Sequence, residues 1–331
     1  MIEILLDRIE EAGGGRRLKK FLKSKKEAAG ARHRAFRASG ALADIRQGAV
    51  DALSEGYLSL NELANLVDEI EENGAQHIFL FDEARIDEFA RAAESLPPFP
   101  AGPTEAKYGA TPRNQIVARS DERMTVIKQV RTVDYWVKNA AETEETAARR
   151  TVVYDRMQGR AVNLIRVYRP SKLGEIRISR VSPEAERLWR DQLLDLSHKT
   201  GVDLADPAVL RPQKVWEGFT KAVNDRAHTF MTTDTAISSQ ISHMISSRRD
   251  DNNSSDIRDL GQYDMAATEY TRDKLNIYWR LDDDRRVHTI MTRERPKEPW
   301  KGGDLSKIYV SERLDPSDVE ALLERIRQTT C

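Results

Sequence analysis

At 331 residues, with 39% apolar and 32% charged side chains, the chain is long enough for two domains and too regularly patterned to be disordered. Its one cysteine, Cys331, excludes an internal disulfide and a cysteine-built zinc site, and no apolar run reaches the length of a signal core or a membrane span. The net charge of −1 conceals alternating blocks: +6 over residues 1–50, −10 over 51–100, +8 over 107–181 and −4 over 182–331.

Composition therefore points to a soluble cytoplasmic protein outside the membrane, and 37 arginines against 16 lysines hint at a GC-rich bacterial genome. In chain order, the first hundred residues read as helices, because apolar residues recur three and four apart in Ile4, Leu5, Ile9 and in Leu60, Leu63, Leu66, Val67, Ile70. Residues 16–27 form a helix of their own. Ser59 with Glu62 makes a capping box for a helix over about 60–73, and Asn73-Gly74 stops it. The run His77 to Phe81 fits strand or helix, and Asp82 is placed to cap a helix reaching about Ala93. Pro97, Pro98, Pro100 and Pro103 set a stiff connector over 97–103, which puts the domain boundary there: a helical domain over 1–96 and an α+β domain over 104–331.

Past the connector the period becomes two. Segments 124–138, 149–157, 161–169 and 175–181 are rich in Val, Ile, Thr, Tyr and Arg, and predict an antiparallel sheet with a tight turn at Gln158-Gly159. Ser182-Pro183 opens a helix ending near Gly201; further helices are expected around Val215 to Val223 and through Ile237, Ile241, Met244 and Ile245. Residues 248–255 read as a loop. Leu275 to Leu281, Val287 to Thr292 and Lys307 to Val310 read as strands, with a turn at 282–285, and Asp315-Pro316 starts a final helix carrying Val319, Leu322, Leu323 and Ile326. The fold class is thus α+β, an all-helical N-terminal part followed by an antiparallel sheet with packed helices.

Two constellations are cationic. At about 100° per residue, Arg16, Lys19, Lys20, Lys23 and Lys26 share one stripe of the 16–27 helix opposite Leu18, Phe21 and Leu22; Arg17, Arg34 and Arg37 add to the same block. Such a stripe is what phosphate contacts require, and equally what a solvated or internally paired helix face looks like. Pairing strands across Gln158-Gly159 puts Arg149, Arg166 and Tyr168 on one sheet face, joined by Arg177, where guanidinium groups and a ring would hold exposed nucleic acid. Gly13-Gly14-Gly15 lacks the strand and the Gly-Lys-Ser/Thr ending of a phosphate loop.

Catalytic signals are weak. His33, His77, His198, His228, His243 and His288 have no metal-ligand spacing, and Asp282 to Asp284 read as a solvated turn. Asp134 with Lys138, or Glu269 with Lys274, fits a metal-dependent nuclease or other hydrolase only loosely. No cofactor or metal is implied. The leading expectation is a non-catalytic binder of nucleic acid, DNA before RNA. The rival is an adaptor or complex subunit whose charged blocks pair with a protein partner or with a second copy. The connector favours an open arrangement in which the acidic 51–100 block faces outward and leaves both cationic surfaces free.

Overall fold

The computed structural model describes residues 1–30, 36–74, 76–82, 85–109, 114–145, 150–179, 185–204, 211–212, 215, 229–237, 242–246, 271–280, 286–294, 305–310 and 315–330. Four helices come first: α1 (Ile2–Glu11), α2 (Gly15–Ala28), α3 (Leu42–Ser54) and α4 (Leu60–Glu72). Their apolar stripes close a core of their own, with Leu5, Leu6, Ile9, Leu18, Leu22, Ile45, Leu63, Val67 and Ile70 all buried. The capping box forms as the sequence requires: the Glu62 amide donates to Ser59 Oγ at 3.2 Å, and the Ser59 amide to Glu62 Oε2 at 2.9 Å. Gly48 sits inside α3 because the backbone of Arg37 crosses it; a Cβ there would stand 1.8 Å from the Arg37 carbonyl oxygen.

The helical unit ends at Asn73, well before the proline connector. The run at 77–81 is strand β1 (Gln76–Asp82), followed by α5 (Ile86–Glu94), which starts four residues beyond Asp82. The connector lies along the sheet edge, where the Ala118 amide donates to the Pro97 carbonyl at 2.9 Å. The chain then returns to the helices through α6 (Glu105–Tyr108): Tyr108 is buried in their core and donates to Asp68 Oδ2 at 3.0 Å.

Strands β2 (Asn114–Ser120), β3 (Met124–Glu145), β4 (Arg150–Tyr168) and β5 (Leu173–Ser179) form an antiparallel meander leading into α7 (Ala185–Thr200). After the short β6 (Arg211–Pro212) come β7 (Thr229–Ile237), β8 (Ser242–Ser246), β9 (Thr271–Arg280), β10 (Arg286–Glu294), β11 (Leu305–Val310) and α8 (Pro316–Thr330). All join one sheet in the order β2-β3-β4-β5-β1-β11-β10-β9-β7-β8, with β6 on β1. β1 is its centre. Phe79 and Phe81 pack with α5 and α7 on one face, while Ile78 and Leu80 pack with Val319, Leu322, Leu323 and Ile326 of α8 on the other. Burial of both faces explains a run with no alternation, the feature that left its type undecided in the sequence.

Two expectations are overturned. Gln158-Gly159 is no turn: residues 150–168 are one strand, and Gly159 lies opposite Val133. β4 continues straight because β3 runs beside it throughout, so its face parity differs from that of a hairpin, and Val152 and Ile165 do not pair. The helix expected through 237–245 is replaced by strand pairing, Thr235 with Met244 and Ile237 with Ser242; branched residues at these positions serve a ladder as well as a helix stripe. The Ser182-Pro183 cap, most of the 215–223 stretch, the 248–255 loop and the 282–285 turn lie outside the described residues.

Candidate interaction surfaces

On α4, Asp68, Glu71 and Glu72 stand at i, i+3 and i+4 and so project together. They land on the sheet. Lys128, Arg160, Arg166 and Arg177 occupy even positions of β3 and β4 and an odd position of β5; the register sets Lys128 opposite Leu164 and Leu164 opposite Arg177, on one face. Lys128 Nζ lies 3.2 Å from Asp68, 3.4 Å from Glu71 and 3.4 Å from Glu72, at 3% side-chain exposure. Arg160 reaches Glu71 at 2.7 Å and Arg166 reaches Glu72 at 3.1 Å. Arg177 pairs with Glu175 at 2.9 Å and donates to the Glu72 carbonyl at 3.2 Å and Asn73 Oδ1 at 2.8 Å, closing the carbonyl end of α4. Arg17 does the same from α2, donating to the Asn73 carbonyl at 2.9 Å.

Each of the four carboxylates Asp68, Glu71, Glu72 and Glu175 is thus paired with at least one cation at the junction, and their protonation follows from it. Burial pulls the Lys128 ammonium down, but Glu71, Glu72 and Asp68 outweigh it and hold its pKa above the ordinary lysine value. Burial likewise pushes Asp68 up, and Lys128 and Lys107 overcome it to hold the carboxyl low. Glu175 is also held low, its burial outweighed by Arg177, Arg166 and Arg327. Burial, then the Glu175 charge, pushes the Tyr168 hydroxyl up to about 12. It donates to Glu175 at 3.0 Å, and the Arg327 guanidinium of α8 lies 5.5 Å over its ring.

This geometry corrects the open arrangement. The acidic block divides: Asp68, Glu71 and Glu72 cover the sheet, Glu62 pairs with Lys25 of the 16–27 helix, and Glu55, Glu69, Asp87 and Glu94 face solvent. Arg166 and Arg177 are buried and ion-paired, and Tyr168 is half-buried beside them, so none of the three stands on an open cationic face. On α2, Arg16, Lys19, Lys20 and Lys23 are exposed, with Lys20 paired to Asp315 and Lys23 3.8 Å from Glu27. Lys26 donates to the Phe36 carbonyl at 3.1 Å, Arg37 pairs with Asp44 at 2.7 Å, and Arg17 is buried. Arg34 and Arg149 lie outside the described residues.

Sequence reasoning missed a third feature. β2 accompanies β3 only to Arg131, and β5 accompanies β4 only from Leu164 to Tyr168. Beyond these points β3 and β4 run on as a two-stranded ribbon to Glu145 and Arg150, roughly 40 Å at the usual strand rise, with no further strand beside it among the described residues. It carries Trp136, Val137, Tyr154 and Met157 at 66, 45, 53 and 45% exposure. Across it Trp136 faces Arg156 and Lys138 faces Tyr154, and Arg156 is ion-paired to Asp134. The sequence signal was present: Val, Ile, Thr, Tyr and Trp recur from Met124 past Trp136, over a span longer than a usual strand.

For chemistry, no group of three His, Cys, Asp or Glu side chains placed to hold a metal ion occurs among the described residues. Asp134, one half of the loose nuclease pattern, is engaged with Arg156 on the ribbon, while Glu269 and Asp282 to Asp284 lie outside the described residues. His77 lies 5.6 Å from the Tyr309 ring and His288 4.6 Å from the Tyr278 ring, both tilted and both half-buried. No helix among the described residues is long and apolar enough to cross a membrane. Neither a known protein family nor a curated protein matches the chain.

Proposed function

We propose that this chain is an interaction protein that engages a protein partner through the β3–β4 ribbon. The observation that carries the reading is the placement of Trp136, Val137, Tyr154 and Met157 in solvent on an arm that has no further strand beside it among the described residues. A lone two-stranded ribbon is marginal in water, and clustered large apolar side chains on a surface mark sites of association. The arm suits protein better than nucleic acid, because residues 132–158 carry four basic and five acidic side chains, a net of −1. The test places a photo-crosslinking residue at position 136 of the full chain. A protein adduct that disappears in Tyr154→Asp is expected; an adduct to nucleic acid, or none, overturns the reading.

A second reading keeps the polyanion role with α2, because Arg16, Lys19 and Lys23 remain exposed there while the sheet cations do not. Three phosphate contacts give a log–log salt slope of about −3 for duplex DNA. Anisotropy with a labelled duplex that shows no salt dependence, or no loss on replacing these three residues by Glu, removes it.

A further inference from the structure

We infer that the occupant of the arm is a second copy of this chain, lying antiparallel along the outer edge of β3 so that two ribbons close into one four-stranded sheet. This rests on the reading of the arm as a protein-binding element and names the partner.

Strand number gives the first reason. Two strands with apolar groups on both faces lack what a stable sheet needs, whereas three or more strands meet it, and joining two arms supplies four. The outer edge of β3 from Val133 to Asn139 has no strand beside it among the described residues. Such an edge is a template for another strand.

Charge then selects the register. A twofold axis normal to the sheet places residues equally distant from it opposite one another. With Trp136 on the axis, Asp134 of each copy meets Lys138 of the other, giving two ion pairs that flank a pair of tryptophans. Centring on 135 or 137 opposes no charges, centring on 134 sets Asp134 against itself, and centring on 138 sets Lys138 against itself and Glu142 against Asp134. Of these five registers, only the one centred on Trp136 brings opposite charges together. Lys138 is exposed and forms no ion pair among the described residues, and Asp134, bound on one side by Arg156, would lie between two cations.

The test uses full-length chains in sedimentation equilibrium. The unmodified protein is expected at twice 37.7 kDa. Lys138→Asp and Asp134→Lys each create two like-charge contacts in a homodimer and should weaken it roughly ten-fold or more. Mixing the two variants restores both ion pairs, so the mixture should dimerise more tightly than either variant alone. Because Asp134→Lys also meets Arg156 within its own arm, the mixture is judged against that variant by itself. Circular dichroism checks that each variant is folded. A monomeric unmodified protein, or a mixture no tighter than its components, overturns the inference. If the crosslink at position 136 then joins a chain of different mass, self-pairing fails while the protein-binding reading stands; no protein adduct at all removes both.

Discussion

Replacing Lys128 by Met tests whether α4 is seated on the sheet in solution. The substitution keeps most of the volume and removes the one cation that contacts Asp68, Glu71 and Glu72 together. Removing one partner of a buried ion pair typically costs about 3–5 kcal/mol. Each carboxylate here keeps another cation: Lys107 for Asp68 at 2.7 Å, Arg160 for Glu71 at 2.7 Å and Arg166 for Glu72 at 3.1 Å. The loss should therefore sit at the lower end, about 3 kcal/mol. Urea unfolding of Lys128→Met, Glu72→Gln and the double variant reads it directly, and residues in one network should show a coupling of about 0.5–3 kcal/mol. A loss under about 1 kcal/mol with additive double-variant behaviour would mean that α4 does not rest on the sheet, and the arrangement of the acidic block would have to be abandoned.

Acid should loosen the same junction. Asp68 and Glu175 are held low in the folded chain, so their contribution is complete above their ordinary values near pH 4 and is lost as pH falls through the folded ones. Lys128 is held high, so its contribution is complete below about pH 10 and is lost as pH rises through its folded value. Melting temperature should therefore be flat between these limits and fall on the acid side; a flat profile down to pH 3 contradicts the pairing. Gly48→Ala should destabilise by about 2 kcal/mol or more despite the higher helix propensity of alanine, because its Cβ meets the Arg37 carbonyl oxygen; a gain in melting temperature would show that the crossing is looser than described. Ser59→Ala should cost about 1 kcal/mol by urea titration, through loss of the cap on the Glu62 amide.

Much of the local structure was legible because it depends on neighbours in sequence. The capping box at Ser59, the stop at Asn73, the strands at 275–280 and 287–292 and the final helix each rest on a periodicity or a cap that the chain carries within a few residues. The failures share one cause, which is that distant segments decided the outcome. Gly159 reads as a turn until β3 is laid beside it, and Ile237 with Met244 and Ile245 reads as a helix stripe until a sheet edge takes both strands. Of the candidate site, the cations were visible and their partners were not. Asp68, Glu71 and Glu72 flank the apolar stripe of α4 at helical spacing, which marks them as a group, but nothing local says what they face.

The charge blocks take on a different meaning once that partner is known. A +8 segment and a −10 segment in one chain look like surfaces meant for other molecules, and the junction between α4 and the sheet uses part of both internally. A buried ion cluster is a weak source of net stability compared with apolar packing, but it is demanding about geometry, since a slipped helix would leave unpaired charge in a dry site. Glu175 and Arg177, both fully buried, make the point: Arg177 serves a carboxylate on its own strand and the carbonyl end of α4 at once, so the helix can seat in one place only. The helical unit has a core separate from those of the sheet, and Tyr108, which lies between β1 and β2 in the chain, enters it. Orientation of one unit on the other is thus set by charge more than by apolar area. That use of charge removes the basic sheet face from the surfaces open to a ligand and leaves the exposed stripe of α2 and the nearly neutral arm, of which the arm alone presents large apolar side chains in a cluster.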